Sequence, residues 1–208
     1  FAMAKIRTTV CLIFSVFFGS LAVGWSADFQ AGIDAYQLGN YRAAMQEWRA
    51  LAEQGDAAAQ VRVGTLYLNG QGIPRDINTA AIWYRLGAEQ GHAEAQFNLG
   101  LMYSGRNDIQ RVWRVRHQEH KEAVKWYRLA AEQGYAEAQF NLGLMYGKGE
   151  GVVQDLVYAF MWMSISVNSG YEDAINGRDR AAKAMTQSQF EKAQNLAREC
   201  TRKKYKGC

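Results

Sequence analysis

Read for apolar spacing alone, the chain falls into short stretches whose hydrophobic residues return every three or four positions. Ala95, Leu99, Met102 and Tyr103 recur in this way, glycine and polar residues interrupt, and Ala123, Trp126, Tyr127, Ala130 and Ala131 recur in the same way. A 3.6-residue period broken once by turn residues predicts two amphipathic helices joined as a hairpin. The hairpin is repeated. Ala-Glu-Gln-Gly or a near match ends at Gly55, Gly91 and Gly134, with Asn168-Ser169-Gly170 in the fourth place, so the closing glycines stand 36, 43 and 36 residues apart. After each of the first three the chain restarts alike, over Asp56–Tyr67, His92–Tyr103 and Tyr135–Tyr146. A period of this length marks a solenoid, in which each unit buries its apolar face only against its neighbours.

The glycine after each Glu-Gln suits a helix C′ position, where positive φ costs glycine little. Gly64, Gly100 and Gly143 fall inside the first helix of each unit, where glycine costs about 1 kcal/mol relative to alanine. Three repetitions of that cost predict a neighbouring helix too close to admit a side chain. Between the two helices of a unit stand Gly70–Asp76 and Gly149–Asp155, both of the form Gly-x-Gly-apolar-x-x-acid. The glycines turn the chain, Ile73 or Val152 plugs into the hairpin, and the aspartate caps the next helix.

This pattern, with Ala-x-x-x-Leu-Gly-x-x-Tyr before it and Ala-x-x-Trp-Tyr-x-x-Ala-Ala-x-x-Gly after it, resembles the Sel-one-like repeat. The resemblance covers roughly residues 29–200. It implies an all-α fold: a right-handed, tetratricopeptide-like α-solenoid of about four helix-turn-helix hairpins. The expected units are 28–55, 56–91, 92–134 and 135–170, with a cap over 171–200 and a basic tail over 201–208. Two departures stand out. Trp48 lies one residue nearer its closing glycine than Trp83, Trp126 and Trp162 do, and residues 104–120 replace the Gly-x-Gly turn with a segment seven residues longer. In the cap, Met185, Thr186, Gln189 and Phe190 form a capping box with a hydrophobic staple, and Phe190, Ala193, Leu196 and Ala197 make one apolar stripe.

Composition agrees with helix, since only one proline, Pro74, occurs in 208 residues. Lys5 and Arg7 precede an apolar run from Val10 to Val23 and small residues at Gly24, Ser26 and Ala27, the layout of a secretory leader over residues 1–27. The predicted location is therefore the bacterial periplasm or the extracellular space. Lys5 and Arg7 are the only charged residues in the leader, so its loss lowers the net charge of +4 by two. Such a balance lacks the basic excess of a nucleic-acid binder. Outside the leader the cysteines are Cys200 and Cys208. On a straight helix they would stand about 12 Å apart, so a bridge requires the helix to end near Lys204 and the chain to return through Gly207. A bridge and two free thiols both remain open.

Candidate chemistry is sparse. Gly147-Lys-Gly-Glu-Gly151 lacks the preceding strand and the Gly-Lys-Ser/Thr ending of a phosphate loop. His92, His117 and His120 lack further ligands at zinc spacing, and no cofactor is expected. Some secreted relatives have been linked to penicillin binding or β-lactam hydrolysis, so the alternative is an envelope enzyme acting on β-lactam or peptidoglycan-type substrates. Ser-x-x-Lys is absent at Ser104, Ser164, Ser166, Ser169 and Ser188, and no Lys-Thr-Gly follows. The aromatic residues at 83, 84, 126, 127 and 162 keep one register and read as core. Trp113, among Arg111, Arg114 and Arg116, reads equally as a protein contact, a membrane or cell-wall contact, or packing.

Binding positions are those the repeat leaves unfixed. Ala58, Arg62 and Thr65 are equivalent to Glu94, Asn98 and Leu101 and to Glu137, Asn141 and Leu144; spaced i, i+4 and i+7, each set occupies one helical face. In tetratricopeptide-like relatives the first helices line the concave surface. The resemblance thus implies a non-catalytic adaptor that receives a segment of another protein on this face.

Overall fold

The computed structural model describes residues 27–105 and 117–208; the predicted leader and Arg111, Trp113, Arg114 and Arg116 lie outside them. Ten helices follow one another in the described residues: α1 (Phe29–Gln37), α2 (Tyr41–Glu53), α3 (Ala57–Asn69), α4 (Ile77–Glu89), α5 (Ala93–Ser104), α6 (His117–Ala131), α7 (Ala136–Lys148), α8 (Leu156–Asn168), α9 (Ala174–Lys183) and α10 (Gln187–Arg202). Each packs on the next through α9, as stacked hairpins do.

Local chemistry sets the boundaries. Asp28, Asn40, Asp56, Asp76 and Asp155 accept first-turn backbone N–H groups with their side chains, satisfying donors that a helix start leaves open. Gly70 and Gly149 end α3 and α7 in the left-handed region, at φ 68° and 72°. Ile73 and Val152, from the turns that follow, reach into the adjoining cores.

The interior glycines have a specific neighbour, and it is a side chain. A Cβ on Gly64 would stand 2.9 Å from the Tyr84 ring, one on Gly100 2.6 Å from the Tyr127 ring, and one on Gly143 2.8 Å from Met163 Cγ. Gly32 of α1 plays the same part, its Cβ falling 2.3 Å from Trp48 Nε1. Trp48 therefore fills the slot of Tyr84 and Tyr127, which is why it lies one residue closer to its closing glycine. These rings are essentially inaccessible, and burying one contributes about 3 kcal/mol.

A glutamine chain runs between units. Gln60, Gln96 and Gln139 donate from Nε2 to the carbonyls of Ala52, Ala88 and Ala131 at the end of the preceding second helix. Their Oε1 atoms accept from Gln90, Gln133 and Ser169 of the following second helix. Each amide is satisfied on both sides, so burial is affordable and three consecutive helices are tied at one point.

The segment after Gly170 departs from the expected single covering helix. Residues 171–183 supply a first helix, α9, which lies on α8 and touches α7, whereas α10 rests mainly on α8. Phe190 packs edge-on to Phe160 at 5.2 Å, and Thr186 and Gln189 cap α10 reciprocally. Ser164 occupies the place of Arg85 and Arg128, which reach the hydroxyls of Tyr103 and Tyr146. The short side chain leaves room for α10. Beyond α10, Lys204, Tyr205 and Gly207 adopt positive φ, the chain returns, and Cys200 and Cys208 are bridged with Cα atoms 5.6 Å apart. Tyr205 thereby reaches Gly134 at the end of α6.

Candidate docking face on the first helices

Helix geometry places the third and seventh positions of each unit on one side of the first helix, and the N-cap residue Tyr135 feels the charges of that side. In α3 and α5 that side is joined across units. Arg62 Nη1 and Nη2 donate to Glu94 Oε1 and Oε2 at 3.2 and 3.0 Å, a bidentate pair in which both side chains keep about a third of their exposure. Partial solvation keeps such a pair near the modest strength of surface ion pairs.

The row continues through Tyr135 and Glu137 of the next unit. Burial pushes the Tyr135 hydroxyl up to about 12, the charges of Glu137 and Glu94 push the same way, and Arg62 opposes them. Tyr171 is likewise raised, by burial first and then by Asp173, with Glu137 contributing. Arg62, Glu94, Tyr135, Glu137, Tyr171 and Asp173 thus share one electrostatic neighbourhood. The rings are backed by aromatic partners: Phe97 lies 5.0 Å from Tyr135 and Phe140 5.4 Å from Tyr171.

Not every predicted position is offered outward. Asn141 is buried and its Nδ2 donates to the Glu137 carbonyl at 2.8 Å. The short amide folds back on its own helix where α9 lies against α7, so it is withdrawn from the contact set. Thr65 spends its hydroxyl on the Val61 carbonyl and the Tyr84 hydroxyl, and Leu101 packs against the third and fourth units' core. Arg62, Glu94, Asn98, Glu137 and Leu144 remain partly exposed. Tyr135, Tyr171 and Asp173 were not among the predicted positions, although Asp173 continues the register of Glu94 and Glu137.

Two concavities lie elsewhere. A cleft of about 380 Å³ between α8, α9 and α10 is lined by Ser164, Arg178, Asp179, Arg198 and apolar residues, without a histidine, lysine or cysteine to activate Ser164. A second, of about 470 Å³, lies under the C-terminal return, beside Glu132 and Lys204. Ser104, Ser166 and Ser169 bond to Tyr127, the Ala136 carbonyl and Gln139. Among the described residues no three His, Cys, Asp or Glu side chains gather as metal ligands.

Comparison with known families matches the Sel1 repeat to residues 57–92, 93–135 and 136–171, more than half of the chain. The chain belongs to the Sel1 repeat family. A Sel1 repeat protein from Oxalobacter formigenes is 32% identical, covers 65% of this chain and 97% of its own, and superimposes with a TM-score of 0.56. A protective antigen of uropathogenic Escherichia coli described as having an SLR fold is 21% identical over 85% of this chain and 54% of its own, at a TM-score of 0.34. A Pseudomonas aeruginosa protein is 16% identical over 83% of each chain, at a TM-score of 0.38. Comparison with curated proteins finds no relative. Sel1 repeats are helical scaffolds, typically non-catalytic, that generally mediate protein interactions.

Proposed function

We propose that this protein is a non-catalytic adaptor that holds a segment of another protein along the first helices α3, α5, α7 and α9. The supporting observation is the row from Arg62 through Glu94, Tyr135 and Glu137 to Asp173, which stays at least partly exposed and runs from α3 to the N-cap of α9. First helices of successive units meet directly where α3 touches α5 and α7 touches α9. A surface of this kind lets one extended segment contact several units at once.

The place of work is proposed to be the bacterial periplasm or the extracellular space. The Cys200–Cys208 bridge suits an oxidising compartment, and no helix of the described residues is long and apolar enough to cross a membrane. Replacing Asn98 and Leu144, both partly exposed on this face, by Arg tests the docking face. Recovery of partners from the native cell envelope should fall while helicity is retained; unchanged recovery would remove the assignment. Sustained turnover of a chromogenic β-lactam or of peptidoglycan by the purified protein would instead favour the enzyme.

A further inference from the structure

The row has a definite sign. The third position of successive units is Ala58, Glu94, Glu137 and Asp173, so α5, α7 and the N-cap of α9 carry a carboxylate at the same place in the unit. Arg62 is the cation of the row, and Glu94 already engages it through both oxygens. No described cation is ion-paired with Glu137 or Asp173. Tyr135 and Tyr171 alternate with these acids, and tilted contacts with Phe97 and Phe140 hold their rings. A fixed tyrosine beside a carboxylate suits a cation on an alkyl stem: the ring receives the stem and the head, and the carboxylate supplies the charge.

Resting on the docking reading above, we propose that the face takes an extended lysine- or arginine-bearing segment of a partner protein, with cationic side chains three residues apart. The spacing follows from the scaffold. Where first helices of successive units touch, as α3 does α5 and α7 does α9, their axes lie about 8–10 Å apart, and a polyproline-II strand advances about 9 Å in three residues while returning its side chains to the same side. A cation at every third residue therefore meets one carboxylate after another. An acidic segment, or a nucleic-acid backbone, would face three like charges with one engaged arginine to offset them.

The test uses the full chain and three dye-labelled peptides, Lys-Pro-Pro-Lys-Pro-Pro-Lys and its all-Glu and all-Ala counterparts, followed by fluorescence anisotropy. The lysine peptide should bind best and weaken as salt rises from about 50 to about 200 mM. Combining Glu94→Gln, Glu137→Gln and Asp173→Asn should weaken it about tenfold. Arg62→Gln, which releases Glu94, should instead strengthen binding about twofold, a gain that misfolding does not produce. Equal affinity for the three peptides, an unaffected triple variant, or weaker binding by Arg62→Gln overturns the proposal. So does self-association of the protein alone that the triple variant abolishes, since a second copy would then be the occupant. Hydrogen exchange separates the two claims: an acidic or neutral peptide protecting α5 and α7 leaves the docking face standing, whereas a lysine peptide protecting α4 and α6 removes the face itself.

Discussion

Replacing Gly100 by Ala should destabilise the protein, although alanine is the better helix former by about 1 kcal/mol. The added methyl would sit 2.6 Å from the Tyr127 ring, about an ångström inside ordinary contact. The ring cannot withdraw, because Tyr127 is fully buried and its hydroxyl bonds to Ser104 Oγ at 2.9 Å. Overpacking of this kind costs about 1–3 kcal/mol, so the net loss should be up to about 2 kcal/mol once the propensity gain of about 1 kcal/mol is deducted. Gly147 of α7 supplies the control: its Cβ would meet Ala159 Cβ at an ordinary 3.6 Å, so alanine there should stabilise by up to about 1 kcal/mol. Urea denaturation followed by circular dichroism reads both as opposite displacements of the midpoint. A Gly100→Ala midpoint at or above the parent would refute the argument that ring contact, rather than backbone geometry, selects glycine.

Other expectations follow from the same coordinates. Gln139→Leu leaves the Ala131 carbonyl and the Ser169 hydroxyl without their partner and should cost about 1–3 kcal/mol, measured as a denaturation midpoint. Folding holds the Tyr84 and Tyr135 hydroxyls protonated, with both pushed up to about 12 from 10.0. The unfolded chain therefore binds fewer protons between these values, and stability should fall as pH rises from about 10 to about 12; a midpoint constant across that window contradicts the burial described. Reducing the Cys200–Cys208 bridge, which spans a sequence separation of 8, should cost on the order of 2 kcal/mol. The loss should be local, with faster hydrogen exchange in α10 and little change in α3 or α5.

Much of the architecture is legible because the repeat makes small errors of register visible. Gly64, Gly100 and Gly143 announce a close approach by their cost alone, yet the sequence does not say that a ring makes it at the first two and Met163 at the third, since the partners lie 20 to 27 positions away in another helix. Gly32 escapes notice for a related reason: Trp48 appears out of register when matched to other tryptophans and falls into register when matched to Tyr84. The buried glutamines carry no signal in the sequence, because a polar residue signals burial only when its partners are known, and these come from two neighbouring helices. On the proposed docking face the i, i+4, i+7 rule picks out Arg62, Glu94 and Glu137, which are partly exposed. It does not foresee that Asn141 is buried and bonded to its own helix where the equivalent Asn98 stays partly exposed. It stops before Tyr171 and Asp173, because the fourth closing motif is degenerate and the segment after it no longer repeats in sequence although α9 still occupies a first-helix place.

The most direct test of the adaptor reading is site-specific photo-cross-linking in the native envelope. A photoreactive side chain would replace Leu144 on α7 in one protein and Ile82, which is 60% exposed on α4, in another. A discrete cross-linked protein formed from position 144 and absent from position 82 is the predicted result. A product from position 82 alone would place the partner on the second helices and contradict the account.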